Sequence, residues 1–111
     1  MSVKNLETPY VIILVTTSSK MEAENIAQGL LEKRLIACAN IIGPVSSHFH
    51  WHGNVEHAEE YLVLMKSRLN LFKDVSEHVK IVHSYEIPEI LALPVIAGDQ
   101  QYLGWLSVGL K

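Results

Sequence analysis

The alternation of strand-like and helix-like segments constrains this chain more than any other feature of its sequence. Residues 11–16 are a short β-branched run with apolar side chains at successive positions, which predicts a central strand covered by helices on one side. Ser19 and Glu22 then have capping-box spacing, and the apolar side chains after them recur at i, i+3 and i+4. This pattern predicts an amphipathic helix that ends near Arg34 in a basic last turn.

A long, bent hairpin is predicted next. Residues 35–51 return to short apolar and β-branched side chains, interrupted by Gly43-Pro44, and Gly53-Asn54 supplies turn chemistry. The second arm, residues 59–67, has apolar side chains at both alternating sets of positions. We therefore expect this strand to be buried on both faces for most of its length.

The C-terminal part adds a helix, a strand and a helix. The helical spacing of apolar residues predicts a second helix over residues 72–82, residues 90–97 resemble a fourth strand, and Gly98-Asp99 begins a terminal helix. The order β-α-β-β-α-β plus a helix is typical of an α+β, ferredoxin-like split βαβ sandwich. We expect a four-stranded antiparallel sheet with two helices on one face and an additional C-terminal helix.

The apolar content is high for a chain of 111 residues, since 49% of residues are apolar and only 19% are charged. Residues 10–111 are predicted to form a single domain after a short, weakly ordered arm at residues 1–9. The sheet face without the two helices also has apolar positions. We expect a homo-oligomer to cover that face.

Composition and charge argue against several partners. The apolar run 10–15 is too short to span a membrane and no signal-peptide pattern precedes it, so we expect a cytoplasmic protein with no membrane partner. A net charge of −3 gives no basic patch, which argues against nucleic acid. The single cysteine, Cys38, lies in an apolar run and is expected to be an inert core thiol.

Three histidines alternate in the first arm of the hairpin, at His48, His50 and His52. Alternate residues of a strand point to one face, so we expect the imidazoles in a row, facing away from Phe49 and Trp51. His-x-His pairs suit zinc, copper or nickel. The alternative is that the two aromatic rings pack inward and the histidines fill a solvated face.

A second polar cluster lies between the second helix and the fourth strand and contains His83, Tyr85, Glu86 and Glu89. Binding groups collect on loops such as the one predicted here. The two carboxylates are candidates for acid–base groups or for hard metal ligands. The alternative is a well-packed turn that Pro88 fixes.

Lys66 ends an otherwise apolar strand and is either an edge gatekeeper or a cation that faces a carboxylate or an anionic ligand. The chain has no phosphate-binding Gly-rich loop, nucleophile elbow or CxxC pair, so we expect no catalytic residues and no enzyme. The remaining enzymatic hypothesis uses Glu86, Glu89 and His83 as acid–base groups.

Ordered motifs occur along most of the chain, over residues 11–110: Val15-Thr16, Leu31-Glu-Lys-Arg-Leu35, Ala37-Cys-Ala-Asn-Ile41, Ser47 with Phe49, Trp51 and Gly53, residues 60–66, His83-Ser-Tyr-Glu-Ile-Pro-Glu-Ile90, Leu93-Pro-Val95 and Tyr102-Leu-Gly-Trp105. Together these motifs resemble the divalent-cation tolerance (CutA) family. The resemblance implies a ferredoxin-like subunit in a tight homotrimer, with long strands paired across subunits and an architecture similar to PII-type signalling proteins. It also implies a role in tolerance to copper and other divalent metals.

The resemblance implies metal ligands at three positions, which here are Val15, Val82 and His83, so that only His83 carries over. The three alternating histidines lie at positions that vary within the family pattern. The usual His-Pro-Tyr-Glu motif occurs here with Ser84 in place of proline.

The residues and the resemblance support two functional hypotheses. The first is a homotrimer that binds divalent cations weakly, copper among them, with candidate ligands His83, Glu86, His48, His50 and His52. The second is a PII-like trimer that binds a small anionic metabolite or nucleotide in clefts between subunits, with candidate residues Trp51, Lys66, Tyr85, Glu86 and Glu89.

Overall fold

The computed structural model describes residues 8–111, which form four strands and three α-helices. In chain order these are β1 (Tyr10–Thr17), α1 (Lys20–Glu32), β2 (Cys38–Trp51), β3 (Asn54–Arg68), α2 (Phe72–Val82), β4 (Ile90–Pro94) and α3 (Gln100–Gly109), with a 3-10 turn at Leu69–Leu71. The strands pair antiparallel in the order β2-β3-β1-β4. The predicted α+β fold is confirmed.

The core lies between one face of the sheet and the helices α1 and α2. In β1 every second side chain is buried, and Val63 and Met65 of β3 are fully buried beside them. The helices add a row of buried apolar side chains: Ala23, Ile26, Ala27, Leu30, Val75 and Val79. Burial of this kind is the main favourable term in folding, and it fixes β1 as the central strand that the sequence predicts.

Helix α1 begins as predicted and ends earlier. The Ser19 hydroxyl accepts a hydrogen bond of 3.1 Å from the Glu22 N–H and caps the helix. The helix ends at Glu32 because Lys33 is its C-cap and Arg34 adopts the left-handed conformation, with a φ of 58°. The predicted basic last turn is therefore wrong.

The first arm of the hairpin starts later than predicted. Leu35 and Ile36 are buried in the core, and the strand begins at Cys38. The Cys38 side chain is half-buried, so the expectation of a core thiol is wrong. The bend is where the sequence predicts it, because the register with β3 shifts between Ile42 and Val45.

Glycine is required at this bend by close packing. A Cβ at Gly43 would lie 2.5 Å from Cδ2 of Tyr61, which is too short for any real contact. The absence of a side chain therefore lets the two strands approach at the bend.

The second arm is longer than predicted and is buried on one face. Its ladder with β2 extends to the pair Trp51–Asn54, so β3 begins at Asn54 and not at residue 59. The residues near the tip are exposed, so backbone pairing defines the strand there. Nearer the centre Val63 and Met65 are fully buried, whereas Leu62 and Leu64 are half-buried, and the expectation of burial on both faces is wrong for a single subunit.

The hairpin turn consists of His52 and Gly53, with φ values of 49° and 80°. Two left-handed residues in succession are characteristic of a type I′ turn, which suits a two-residue hairpin loop. The predicted turn at Gly53-Asn54 is one residue late, because Asn54 already pairs with Trp51.

The remaining elements agree closely with the sequence. Helix α2 has the predicted bounds, β4 ends at Pro94 and not at residue 97, and Asp99 caps α3 by accepting a 3.0 Å hydrogen bond from the Tyr102 N–H. Helix α3 covers one end of the sheet face opposite α1 and α2, where the Tyr10 and Ser107 hydroxyls are hydrogen-bonded.

The predicted N-terminal arm lies mostly outside the described residues, which begin at Thr8. The Thr8 hydroxyl donates to the Val95 carbonyl, and the Leu69 N–H donates to the Pro9 carbonyl at 2.8 Å. These two residues therefore contact the domain. None of the helices in residues 8–111 combines the length and the apolar character needed to cross a membrane.

Candidate functional site

An open groove of about 870 Å³ lies between the hairpin and the loop that joins α2 to β4. We call it the hairpin groove, and its lining residues are Thr16, Ser47, His48, Phe49, Trp51, Glu56, Glu60, Ser84, Tyr85, Glu86, Ile87, Pro88 and Glu89. This lining has four glutamates and no lysine or arginine. The groove is therefore strongly acidic.

Strand alternation brings the hairpin residues into the groove. Ser47, Phe49 and Trp51 occupy alternate positions of β2, and Phe49 is directly opposite Glu56 of β3. Phe49 is 39% exposed and Trp51 is 47% exposed. The two aromatic rings do not pack into the core, and their exposed surfaces are available to a ligand.

The loop is joined to the hairpin by a hydrogen bond across the groove. The Tyr85 hydroxyl donates to Oε2 of Glu60 at 2.7 Å, and Glu60 is only 7% exposed. Burial and this carboxylate raise the pKa of Tyr85 to about 12, because both disfavour a phenolate. The bond satisfies a buried carboxylate and fixes the width of the groove.

Glu86 and Glu89 are both exposed and line the groove from the loop side. Among the described residues neither carboxylate has a hydrogen-bond or ion-pair partner within its own subunit. These two side chains are therefore available to a cation. Five of the predicted site residues line this one groove: His48, Trp51, Tyr85, Glu86 and Glu89.

His83 is buried beside the groove and does not line it. Its Nε2 lies 2.7 Å from the Thr16 carbonyl, to which it donates, and its Nδ1 accepts a 2.9 Å hydrogen bond from the Tyr85 N–H. Both ring nitrogens are therefore occupied within the subunit. In this arrangement His83 positions the loop.

Glu22 is a site residue that the functional analysis of the sequence missed. Its carboxylate accepts a 2.7 Å hydrogen bond from the Ser84 N–H and lies 3.9 Å from Nδ1 of His83. Although partial burial acts to raise it, hydrogen bonds from Ser84 and Ser18 hold the pKa of Glu22 below its usual value of 4.5. The capping-box spacing identified Glu22 as a helix-start residue, but nothing local indicated its long-range partner.

The predicted row of three histidines is not formed. His52 lies in the turn, so only His48 and His50 share a face of β2. His57 of β3 is directly opposite His48, and their ring centroids are 5.7 Å apart. The sequence therefore placed His52 wrongly and gave no role to His57.

Lys66 lies outside the hairpin groove. Its ammonium is 5.5 Å from the centroid of the Tyr102 ring, and the proximity of Tyr102 raises the pKa of Lys66. The family resemblance also implies metal ligands at Val15 and Val82, but a valine side chain has no donor atom. Val15 is fully buried in the core, and Val82 is exposed at the end of α2. Lys66 and Trp51 do not meet within one subunit, and the cleft predicted between subunits stays a prediction.

The described part of the chain has no complete protein-only metal site. Across residues 8–111 no three histidine, cysteine, aspartate or glutamate side chains are grouped so that they could hold one ion. A cation in the hairpin groove of a single subunit would therefore keep several water ligands.

Comparison with known proteins shows the family. A family model described as the CutA1 divalent ion tolerance protein matches residues 11–108. The divalent-cation tolerance protein CutA of Thermus thermophilus is 41% identical over 95 residues, which cover 86% of this chain and 92% of that protein. The protein of the same name from Archaeoglobus fulgidus is 44% identical over 95 residues, with the same coverage of 86% and 92%.

Solved structures agree with the sequence matches. The Thermus thermophilus structure superimposes with a TM-score of 0.89 and 38% identity over 92% of this chain and 99% of that chain. CutA1 from Oryza sativa gives a TM-score of 0.90 and 33% identity over 96% and 97%.

The names of the relatives differ in cellular compartment. The Archaeoglobus fulgidus structure is described as periplasmic, whereas the rice protein is named chloroplastic and this chain spans 56% of its length. The cytoplasmic location of this chain stays a prediction. The family model, the relatives and the superimposed structures all give one assignment: this chain belongs to the CutA1 divalent ion tolerance protein family.

Proposed function

We propose that this chain acts in divalent-cation tolerance as a non-catalytic homotrimer that binds copper and other divalent cations weakly in the hairpin groove. The observation that carries the proposal is the charge of the groove, which is lined by Glu56, Glu60, Glu86 and Glu89 without a lysine or arginine. A cleft lined by charges of one sign concentrates the oppositely charged ion.

Glu86 and Glu89 are the central ligands in this proposal. Both are exposed on the loop and neither is paired within the described part of its subunit. Glu60, by contrast, is buried and already accepts from Tyr85. Its role is to hold the loop in place, and His83 has the same role through Thr16.

Weak binding follows from the number of available ligands. Residues 8–111 offer no group of three ligating side chains, so water completes the coordination shell of an ion held by two carboxylates. Such an ion exchanges readily, which suits a response to metal concentration better than a permanent cofactor.

Among the first-row divalent metals, we expect Cu²⁺ to bind most tightly. At a site of nitrogen and oxygen donors, affinity rises from Mn²⁺ to Cu²⁺ and falls again at Zn²⁺.

The trimer is supported by the sheet face opposite α1 and α2, which we call the outer sheet face. It has half-buried Ile12, Leu14 and Leu64, together with Leu91 at 53% and Leu93 at 47% exposure. The register makes these positions neighbours, because Leu14 lies between Leu91 and Leu64. A continuous apolar face of this kind is typical of a surface that associates with further copies of the chain.

Titration with Mn²⁺ tests the groove as a cation site, because Mn²⁺ prefers oxygen ligands and broadens nearby NMR signals. We expect broadening confined to residues around Glu86 and Glu89 in the intact oligomer, and reversal on addition of excess Zn²⁺, which is diamagnetic and binds such donors more tightly than Mn²⁺. The double variant Glu86→Gln/Glu89→Gln should lose the localised broadening.

The matched control is Glu24→Gln/Glu77→Gln, which removes the same charge from two exposed helix positions. It should keep the wild-type pattern. Broadening that survives in the groove variant, or that excess Zn²⁺ does not reverse, would contradict the proposal.

The exposed Trp51 and Phe49 rings favour a second candidate function, the binding of a planar metabolite or nucleotide between subunits. An anionic ligand would meet four glutamates, and Lys66 lies against Tyr102 instead of in the groove. A second subunit would have to supply the cation. A thermal-shift screen of nucleotides in the absence of metal separates the two, because only the second candidate predicts stabilisation.

A further inference from the structure

We propose that His48 and His57 form a second metal site across the β2–β3 hairpin, selective for ions that prefer imidazole, such as Zn²⁺ and Ni²⁺. This inference goes beyond the carboxylate groove and does not need Glu86 or Glu89. It also replaces the predicted row of histidines, because the partner of His48 is on the neighbouring strand.

The two side chains already have the separation that a shared ion requires. His48 and His57 are directly opposite in the ladder, and their ring centroids lie 5.7 Å apart with an interplanar angle of 29°. With metal–nitrogen bonds of about 2.1 Å, two imidazoles on one ion have ring centres roughly 5 to 6 Å apart. Because the rings are stacked, their in-plane lone pairs do not yet converge, and we expect rotation about the side-chain torsions, without movement of the strands, to bring both rings onto an ion.

Ser46 supplies an outer hydrogen bond to the site. Its Oγ lies 3.1 Å from Nε2 of His48, on the same face of β2. Metal-binding histidines usually donate their second N–H to such a partner, which fixes the tautomer and the ring orientation. With Nε2–H donated to Ser46, Nδ1 of His48 keeps its lone pair for the metal.

The surroundings determine which ions can bind. Both histidines are exposed, so the remaining coordination positions are filled by water. Glu59 lies opposite Ser46 and His50 opposite Val55, two ladder positions away on either side. The two first ligands are therefore imidazoles, which favour Zn²⁺, Ni²⁺ and Cu²⁺ over Mg²⁺, Ca²⁺ and Mn²⁺.

Calorimetric titration of the intact oligomer with Zn²⁺ in a non-coordinating buffer tests the site. The informative variant is His57→Gln, because His57 does not line the hairpin groove whereas His48 does. We expect the dissociation constant to rise roughly tenfold or more in this variant, as for the loss of one of two ligands. His50→Gln is the matched control on the same face and should change it less than about threefold.

The groove variant Glu86→Gln/Glu89→Gln separates this inference from the proposed function. It should abolish the Mn²⁺ response and leave Zn²⁺ affinity unchanged. His57→Gln should keep the Mn²⁺ response and weaken Zn²⁺ binding. Zn²⁺ affinity that is the same in His57→Gln as in the wild type, or no saturable Zn²⁺ binding to the wild type, would overturn the cross-strand site.

Discussion

The Tyr85 hydroxyl donates a 2.7 Å hydrogen bond to Oε2 of Glu60 and so joins the α2–β4 loop to the hairpin. One partner belongs to the loop that presents the free carboxylates, and the other is a buried glutamate of β3. The width of the hairpin groove depends on this contact, because the groove is bounded by the two segments that the bond connects.

Tyr85→Phe removes this hydrogen bond and leaves the buried Glu60 carboxylate without its donor. We expect a loss of about 1–3 kcal/mol in the free energy of unfolding, measured by denaturant titration at one fixed protein concentration. Tyr61→Phe is the control, since no hydrogen bond of the Tyr61 hydroxyl occurs within residues 8–111, and it should change stability by about 0.5 kcal/mol at most.

The same contact gives an alkaline signature. The pKa of Tyr85 is raised from 10.0 to about 12 in the folded protein, so its contribution is fully present below pH 10 and is lost as the pH rises towards 12. The difference in the free energy of unfolding between the wild type and Tyr85→Phe should therefore shrink as the pH rises from 10 to about 12. A difference between the two proteins that stays constant from pH 8 to about pH 12 would contradict this assignment.

Glu22→Gln tests the bridge between helix α1 and the loop. The folded-state pKa of Glu22 is depressed, so its stabilising effect is present above its ordinary value of 4.5 and is lost as the pH falls through the lower, folded value. We expect a loss of about 1 kcal/mol at pH 7 that shrinks towards zero in acid. Glu24→Gln, an exposed change on the same helix, should be neutral at both pH values, and equal behaviour of the two variants would contradict the bridge.

Periodicity was sufficient to predict most of this fold, because the order of strands and helices limits the possible arrangements to a few. Periodicity failed where strand pairing or backbone conformation sets the end of an element. The exposed half of β3 is a strand because of its ladder with β2. Helix α1 ends just before Arg34, whose left-handed conformation is not predictable from a simple rule because Arg34 is not a glycine. The bounds of α2, with its strong helical pattern, were predicted correctly.

The candidate site was predictable only in part, for the same reason. Tyr85, Glu86 and Glu89 are close in sequence, and alternation adds Trp51, so their shared location follows from local pattern. Contacts between distant segments were not predictable. Glu60 lies within the predicted strand at residues 59–67, where nothing local indicated Tyr85 as its partner. His57 gained its partner only when the register placed it opposite His48.

The hairpin turn offers a test in two directions. His52 has a φ of 49°, which asparagine tolerates better than histidine, so His52→Asn should raise the free energy of unfolding by about 0.5 kcal/mol. Gly53→Ala, at a φ of 80°, should lower it by about 1 kcal/mol. Both are measured by denaturant titration, and a stabilising effect of Gly53→Ala would be inconsistent with a type I′ turn.

Leu93→Lys tests the association through the outer sheet face. Leu93 is 47% exposed in the single subunit, and a buried lysine there would have to lose its hydration, so we expect dissociation of the trimer in sedimentation equilibrium. Ile81→Lys is the control, since Ile81 is 83% exposed on α2. It should remain trimeric, and a monomeric wild type would contradict the proposed assembly.

A crystal structure of the intact protein grown with Cu²⁺, with diffraction recorded at the copper absorption edge, tests the central claim most directly. The account predicts a three-fold assembly that buries the outer sheet face, with an anomalous peak about 2.0–2.2 Å from a carboxylate oxygen of Glu86 or Glu89. Copper bound elsewhere while the hairpin groove of every subunit holds no anomalous peak would contradict it.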